Sequence, residues 1–418
     1  MGEKLLGTVG ELDPEAGRMA RLVWFDAGLG RPGRLLMLLH HLVVDGVSWR
    51  VLHPDLRAAW EAARAGGRAT LDPVPTSFRT WSRALAEAAI RPERERELPH
   101  WRETLAAAST PLAARPLDPA RDTVRTLTHL SVELPPEHTG PLLTTAVRET
   151  GASVNELLLG ALAVALAHWR EQRGDARARS TVVAMEGHGR EQDIAPGTDL
   201  SRTVGWFTSV YPVRLDAAGV DLAEALTGRG GGAKALREVV ARVGDQLAAV
   251  ADNGIGYGLL RYLNPRTGPE LAALGTPEVQ FNYLGRFAGS APTAPGPQDS
   301  AATDGTAGTD GTGATDGTRA TNEQPDAGPD GRGDWAPAPE AGVMGGGRDL
   351  DMPVGYLLDI TASTVDGPDG PRLSAGWVWP GELLPEASVR ELAQAWATAL
   401  RVLSGPGDTA PDAGEGLA

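Results

Sequence analysis

Residues 34–49 read Arg-Leu-Leu-Met-Leu-Leu-His-His-Leu-Val-Val-Asp-Gly-Val-Ser-Trp. The apolar run over 34–44 predicts a strand buried on both faces. Asp45-Gly46 breaks the run, and a helical pattern from about Val47 to Ala65 stops at Gly66-Gly67. Neighbouring strand residues face opposite sides, so only one of His40 and His41 can face a given cleft. A histidine at such a place is suited to acid or base chemistry, because imidazole titrates near neutrality. Gly46 permits a tight turn and removes bulk beside a ligand. The competing reading is a pair of structural histidines in a core turn; the ten-residue constellation His40–Trp49 favours the functional one.

Outward from this stretch, residues 18–26 read as a strand and 153–173 as a helix, with Ser153 and Glu156 in a capping-box pattern. Residues 180–186 read as a short strand ending at Glu186, and a last helix is predicted over about 388–404 with Ser388 and Glu391 in the same pattern. Strands alternating with helices indicate an α/β fold. From 289 to about 347 the chain is mostly Ala, Gly, Asp, Thr and Pro, and Thr-Asp-Gly-Thr recurs at 303–306, 309–312 and 315–318. With so few apolar side chains this stretch cannot offset its ordering entropy, and it reads as a disordered surface insertion. Its Asp-Gly spacing lacks the apolar positions of a calcium-binding β-helix repeat.

The 418 residues suffice for two or three domains or two large lobes. A net charge of −15 argues against nucleic acid as the main partner, since phosphates require clustered Lys and Arg. No apolar run reaches a membrane span, the start has no signal-peptide pattern, and cysteine is absent, which together fit a cytoplasmic protein. Lysine occurs only at Lys4 and Lys234, which leaves few candidates for a Schiff base.

Met185-Glu186-Gly187-His188-Gly189-Arg190-Glu191 places a carboxylate at a strand end beside two glycines, either as a proton-exchanging group or as a salt-bridged surface turn. Four of the five tyrosines lie between 211 and 283. The stretch Gly254-Ile255-Gly256-Tyr257-Gly258 lacks both the Lys-Ser/Thr of a phosphate loop and the dinucleotide spacing. Asn282 and Tyr283 carry polar ends that need partners if buried.

Five segments in order, starting at His40, Glu186, Val204, Gly254 and Phe281, resemble the epimerization domains of nonribosomal peptide synthetases. They read His-His-x-x-x-Asp-Gly-Val-Ser-Trp-Arg, Glu-Gly-His-Gly-Arg-Glu, Val-Gly-Trp-Phe-Thr-Ser-x-Tyr-Pro-Val, Gly-Ile-Gly-Tyr-Gly-Leu-Leu-Arg-Tyr-Leu and Phe-Asn-Tyr-Leu-Gly. Condensation domains share the double-His turn but usually lack the second and fifth segments, and heterocyclization domains carry aspartates in place of the histidines. The resemblance implies a two-lobed fold of the chloramphenicol-acetyltransferase type, here a partial N-terminal lobe over 1–135 and a C-terminal lobe over 136–418. It implies epimerization of an aminoacyl or peptidyl thioester on the 4'-phosphopantetheine of a separate peptidyl carrier protein. No dissociable cofactor and no metal are expected, and the partners are that carrier and neighbouring synthetase modules, with no nucleic acid and no membrane.

Inversion needs two proton-transfer groups on opposite sides of a cleft, and His41 and Glu186 are such a pair by type. Tyr283 or Asn282 would steady the enolate-like oxygen, Asp45 would position the histidine turn with Arg190 as its ion-pair partner, and His40 would act structurally. Two features depart from the family pattern. Only 39 residues precede His40, without a Pro-Ile-Gln-x-Trp-Phe type helix, which implies an incomplete N-terminal lobe: a truncated product, a mis-called start or a fragment completed by another polypeptide. Gly230-Gly231-Gly232 and Gly244 are expected to weaken the helix before 254. A condensation-type acyltransferase and a non-catalytic remnant are the alternative functions.

Overall fold

The computed structural model describes residues 7–106, 111–175, 177–229, 231–288, 335, 338 and 349–405. The insertion read at 289–347 therefore lies outside the described residues, except for Trp335 and Ala338. Trp335 packs edge-on against His53 and Trp60, at ring separations of 6.0 and 6.3 Å.

Strands β1 (Ala20–Phe25) and β2 (Arg34–Leu39) form a separate antiparallel ribbon, from Ala20 opposite Leu39 to Phe25 opposite Arg34. The strand expected over 34–44 is thus shorter, and it is not buried on both faces: the ribbon is half-exposed, with Leu22 and Trp24 open to solvent. His40 N–H donates to Met19 O at 2.8 Å, and the His40 ring Nδ1 accepts from Leu42 N at 3.2 Å. Those bonds draw the chain out of the ladder into a 3₁₀ turn over His41–Val43, so the apolar run outlasts the strand. Helix α1 (Gly46–Arg64) follows, capped by Asp45, whose carboxylate accepts from Ser48 N at 2.7 Å. Gly46 is its first residue, and the tight turn lies before it.

The second sheet has six strands: β3 (Leu127–Leu134), β4 (Ser180–Gly187), β5 (Ser209–Asp216), β6 (Val279–Ala288), β7 (Leu358–Gly367) and β8 (Gly370–Pro380). Their order is β3-β8-β7-β6-β4-β5, with β6 parallel to both β4 and β7 and the other pairs antiparallel. β3 pairs with β8 along its whole length. The change of sheet thus falls between β2 and β3.

Three helices cover one face of this sheet. Helix α4 (Val154–Glu171) is apolar nearly all round and is buried from Leu157 to Ala167. Both bonds of its capping box form, Glu156 N to Ser153 Oγ at 3.3 Å and Ser153 N to Glu156 Oε2 at 2.6 Å. Helices α5 (Gly232–Ala248) and α6 (Glu386–Ser404) flank it and complete the main core with Phe281, Ile360 and Trp377 of the sheet. Of the glycines expected to weaken α5, Gly231 is its left-handed N-cap, Gly232 its first residue, and Gly244 lies inside it. Helix α6 starts at Glu386 with Pro385 as N-cap, so the box expected from Ser388 and Glu391 does not form. Both side chains instead hold Arg173, at 2.8 and 2.7 Å.

Helices α2 (Phe78–Ala89) and α3 (Leu98–Ala106) belong to two smaller cores. Trp81 packs with Leu200, Phe207 and Leu259, and Trp101 with Val182, Tyr257 and Leu271. Val182 lies on the face of β4 opposite Val183 and Met185 of the main core, so the Trp101 cluster occupies the far side of the sheet. No single described helix is long and apolar enough to cross a membrane.

Candidate active site

β4 and β6 run side by side in parallel, with Ala184 opposite Gln280 and Met185 opposite Phe281. Met185 and Phe281 face the main core. Alternation therefore turns Glu186, Gln280 and Asn282 to the other face. There the Gln280 Nε2 donates to Glu186 Oε1, and Asn282 Nδ2 donates to Glu186 Oε2 at 2.7 Å. Tyr356, just before β7, is close enough to be affected: burial pushes its phenol far above the ordinary value, and the Glu186 charge adds to that.

Tyr283 does not join them. It follows Asn282 by one residue on β6 and packs against the main core, where its hydroxyl lies 2.9 Å from Thr364 Oγ1. Alternation along β6 turns Tyr283 away from the face that carries Glu186, so the structure does not bring these two side chains together. Burial raises its phenol, partly offset by the Thr364 hydrogen bond.

The double-His turn reaches this region through Asp45. Its buried carboxylate accepts from Ser48 N, from Phe207 N at 3.2 Å and from Arg190 Nη2 at 3.1 and 3.3 Å. Ser48 Oγ lies 2.7 Å from Asp45 Oδ1 and accepts from Gly205 N at 3.1 Å. Arg190 also donates to Leu200 O and Thr203 O, both at 2.8 Å, and its guanidinium lies 3.9 Å from the centre of the Phe207 ring. Burial pulls Arg190 below its ordinary pKa, while Asp45 works against that. One ion pair thus ties the histidine turn to the loop that follows Glu186. His41 lies against Trp206, ring centroids 4.7 Å apart at 48°. His40 is held by the bonds that end β2.

The loop after Glu186 is tightly packed. Gly189 has φ +66°, and a Cβ there would stand 1.7 Å from Phe207 O. Gly254, at φ +79°, lies against the Tyr211 ring, where a Cβ would stand 2.1 Å away. Before it, Asp252 and Asn253 take left-handed conformations at φ 46° and 48°. Each is tied down: Asn253 donates to Glu191 at 2.9 Å, and Asp252 accepts from Arg94 at 2.7 Å. Among the described residues no cluster of His, Asp and Glu could hold a metal ion.

Sequence reasoning missed Gln280, Ser48 and Tyr356. Gln280 had a signal, since Gln-x-Asn at strand spacing marks one face of β6. Ser48 is the third residue of α1, where its N–H and hydroxyl both reach the capping Asp45. Tyr356 had no local signal.

The condensation-domain family description matches residues 31–308. A linear gramicidin synthase polypeptide of Brevibacillus parabrevis is 36% identical over 278 residues, covering 66% of this chain and 3% of that protein. Chondramide synthase cmdD of Chondromyces crocatus is 40% identical over 296 residues, 69% of this chain and 7% of that one. The chain thus spans under a tenth of the length of either relative. Among solved structures, the epimerization domain from the third module of tyrocidine synthetase B superposes with a TM-score of 0.66 at 26% identity, over 96% of this chain and 76% of that one. The first condensation domain of the calcium-dependent antibiotic synthetase shares the fold, with a TM-score of 0.52 at 17% identity over 93% of this chain and 67% of that one. With the family pattern matched over more than half its length, on a mixed sheet of the same fold, this chain belongs to the condensation-domain family.

Proposed function

We propose that this chain epimerizes the α-carbon of an aminoacyl or peptidyl thioester carried on the phosphopantetheine of a peptidyl carrier protein. The observation that carries the reading is the Glu186 carboxylate, held at the end of β4 by amide donors from β6. The double-His turn is common to condensation domains, whereas this carboxylate belongs to the segments that distinguish epimerization. The likeness to the tyrocidine synthetase epimerization domain supports the same reading.

In the proposed reaction a base on one face removes the α-proton, and the C–H electron pair enters the thioester carbonyl as an enolate. A proton from the opposite face then restores the C–H bond with inverted configuration. His41 and Glu186 are the two groups, each transfer contributing roughly 10²–10⁴-fold. Asn282 holds Glu186 in this scheme, and Asp45 with Arg190 and Ser48 positions the histidine turn.

The test supplies an L-aminoacyl-loaded carrier, hydrolyses the thioester and separates enantiomers. A D-product is expected. An amide formed with a second loaded carrier would establish condensation instead, and neither product would establish a non-catalytic chain. His41→Ala is expected to abolish α-proton exchange in D₂O with an unchanged melting temperature; exchange at the wild-type rate would remove His41 from the scheme. Glu186→Gln keeps the size but cannot accept the proton, so exchange from one enantiomer should fall more than from the other. Equal, mild slowing of both would refute the two-base scheme.

A further inference from the structure

We infer that Gln280 is a positioning residue for proton transfer by Glu186. The inference rests on the proposed role of Glu186 and adds a residue to which no function has been attached. Gln280 is 9% exposed and lies opposite Ala184 on β4 and Asp359 on β7, in the middle of the sheet. A buried amide at that place has few ways to satisfy its hydrogens. Its Nε2 bonds Glu186 Oε1, while Asn282, two residues along the same face, bonds Oε2. The two carboxylate oxygens thus receive separate donors from one strand. Two donors at different places along β6 constrain both the torsion and the position of the carboxylate.

An ionised carboxylate accepts only, so both amides must present NH₂ to it; a protonated carboxyl would need an acceptor at one oxygen. Gln280 and Asn282 thus offer one donor to each oxygen of the ionised carboxylate. When the proton arrives, an amide can rotate to offer its carbonyl oxygen, so the same pair can follow the carboxyl through both steps. A misplacement of about 1 Å at a reacting group costs on the order of 100-fold in rate.

The test compares Gln280→Met, which keeps the volume without a donor, with Gln280→Glu, which donates only when protonated. The readout is α-proton exchange of an aminoacyl-loaded carrier in D₂O, with melting temperature as the folding check and Glu186→Gln as reference. Gln280→Met should lose about 10- to 100-fold in the exchange rate at saturating carrier, with the half-saturating carrier concentration unchanged. Gln280→Glu should be slow near about pH 8, where two carboxylates face each other, and recover toward about pH 5 as they come to share a proton. Gln280→Met should show no such recovery; acid recovery confined to Gln280→Glu is the outcome that a merely structural role would not give. Exchange by Gln280→Met within twofold of wild type, or parallel pH profiles for the two variants, would overturn the inference. Wild-type exchange by Glu186→Gln would instead overturn the reading of Glu186 on which it rests.

Discussion

Asp45 shows how one side chain can join distant parts of a site. Its carboxylate caps α1, receives the Phe207 amide and pairs with Arg190, all out of solvent. Removing one member of such a pair leaves the other charge buried without its partner. Asp45→Ala should therefore cost about 3 kcal/mol in urea unfolding. Adding Arg190→Met to it should cost clearly less than the two single changes summed, because the second change removes the stranded charge. Strict additivity would show that the ion pair does not couple the two loops. At this scale the pairing of Asp45 with Arg190 was legible, because the two residues lie in short segments whose types invite an ion pair. Tyr283 parts from Asn282 because a one-residue step along β6 exchanges the two faces of the sheet. Tyr356 meets Glu186 only through the arrangement of three strands, which no local pattern records.

Among the elements, the two Ser-x-x-Glu patterns make a controlled comparison. At Ser153 the reciprocal bonds form; at Ser388 the pattern falls inside a helix already begun after Pro385. Ser153→Ala should cost about 1 kcal/mol in urea unfolding. Ser388→Ala should cost distinctly less, since it removes one bond to the half-exposed Arg173 and no cap. Equal losses would mean that both serines act as caps. Helix α4 was readable because its cap and its apolar run agree. The end of β2 was not, because Leu42 and Val43 continue the apolar pattern while the His40 ring closes a turn in which hydrophobicity has no part.

For the molecule as a whole, the segment leading into β3 gives stability a definite pH dependence. Asp122 is buried and accepts from Arg115 at 2.6 and 2.8 Å and from Asp118 N at 2.7 Å. The Arg115 hydrogen bond, reinforced by that backbone donor and by charge, holds its carboxyl below the ordinary aspartate value against the effect of burial. A depressed folded value means the stabilisation is complete above the unfolded value, near about pH 4, and is lost as pH falls through the folded one. The difference in urea midpoint between wild type and Asp122→Asn should be largest near neutral pH and shrink in acid. A difference that stays constant with pH would show that Asp122 does not carry this dependence.

The pairing of β3 with β8 also sets a timetable. Leu127–Leu134 leaves the ribosome about 240 residues before Leu373–Pro380, and at roughly 5–20 residues per second that is on the order of ten seconds or more. Throughout that interval the backbone donors and acceptors of β3 lack the ladder that will satisfy them, and closing so long a loop is slow as well as late. The nascent chain therefore presents an unpaired strand edge that invites intermolecular pairing. The yield of folded protein will depend on how well the cell shields β3 until the last hairpin arrives.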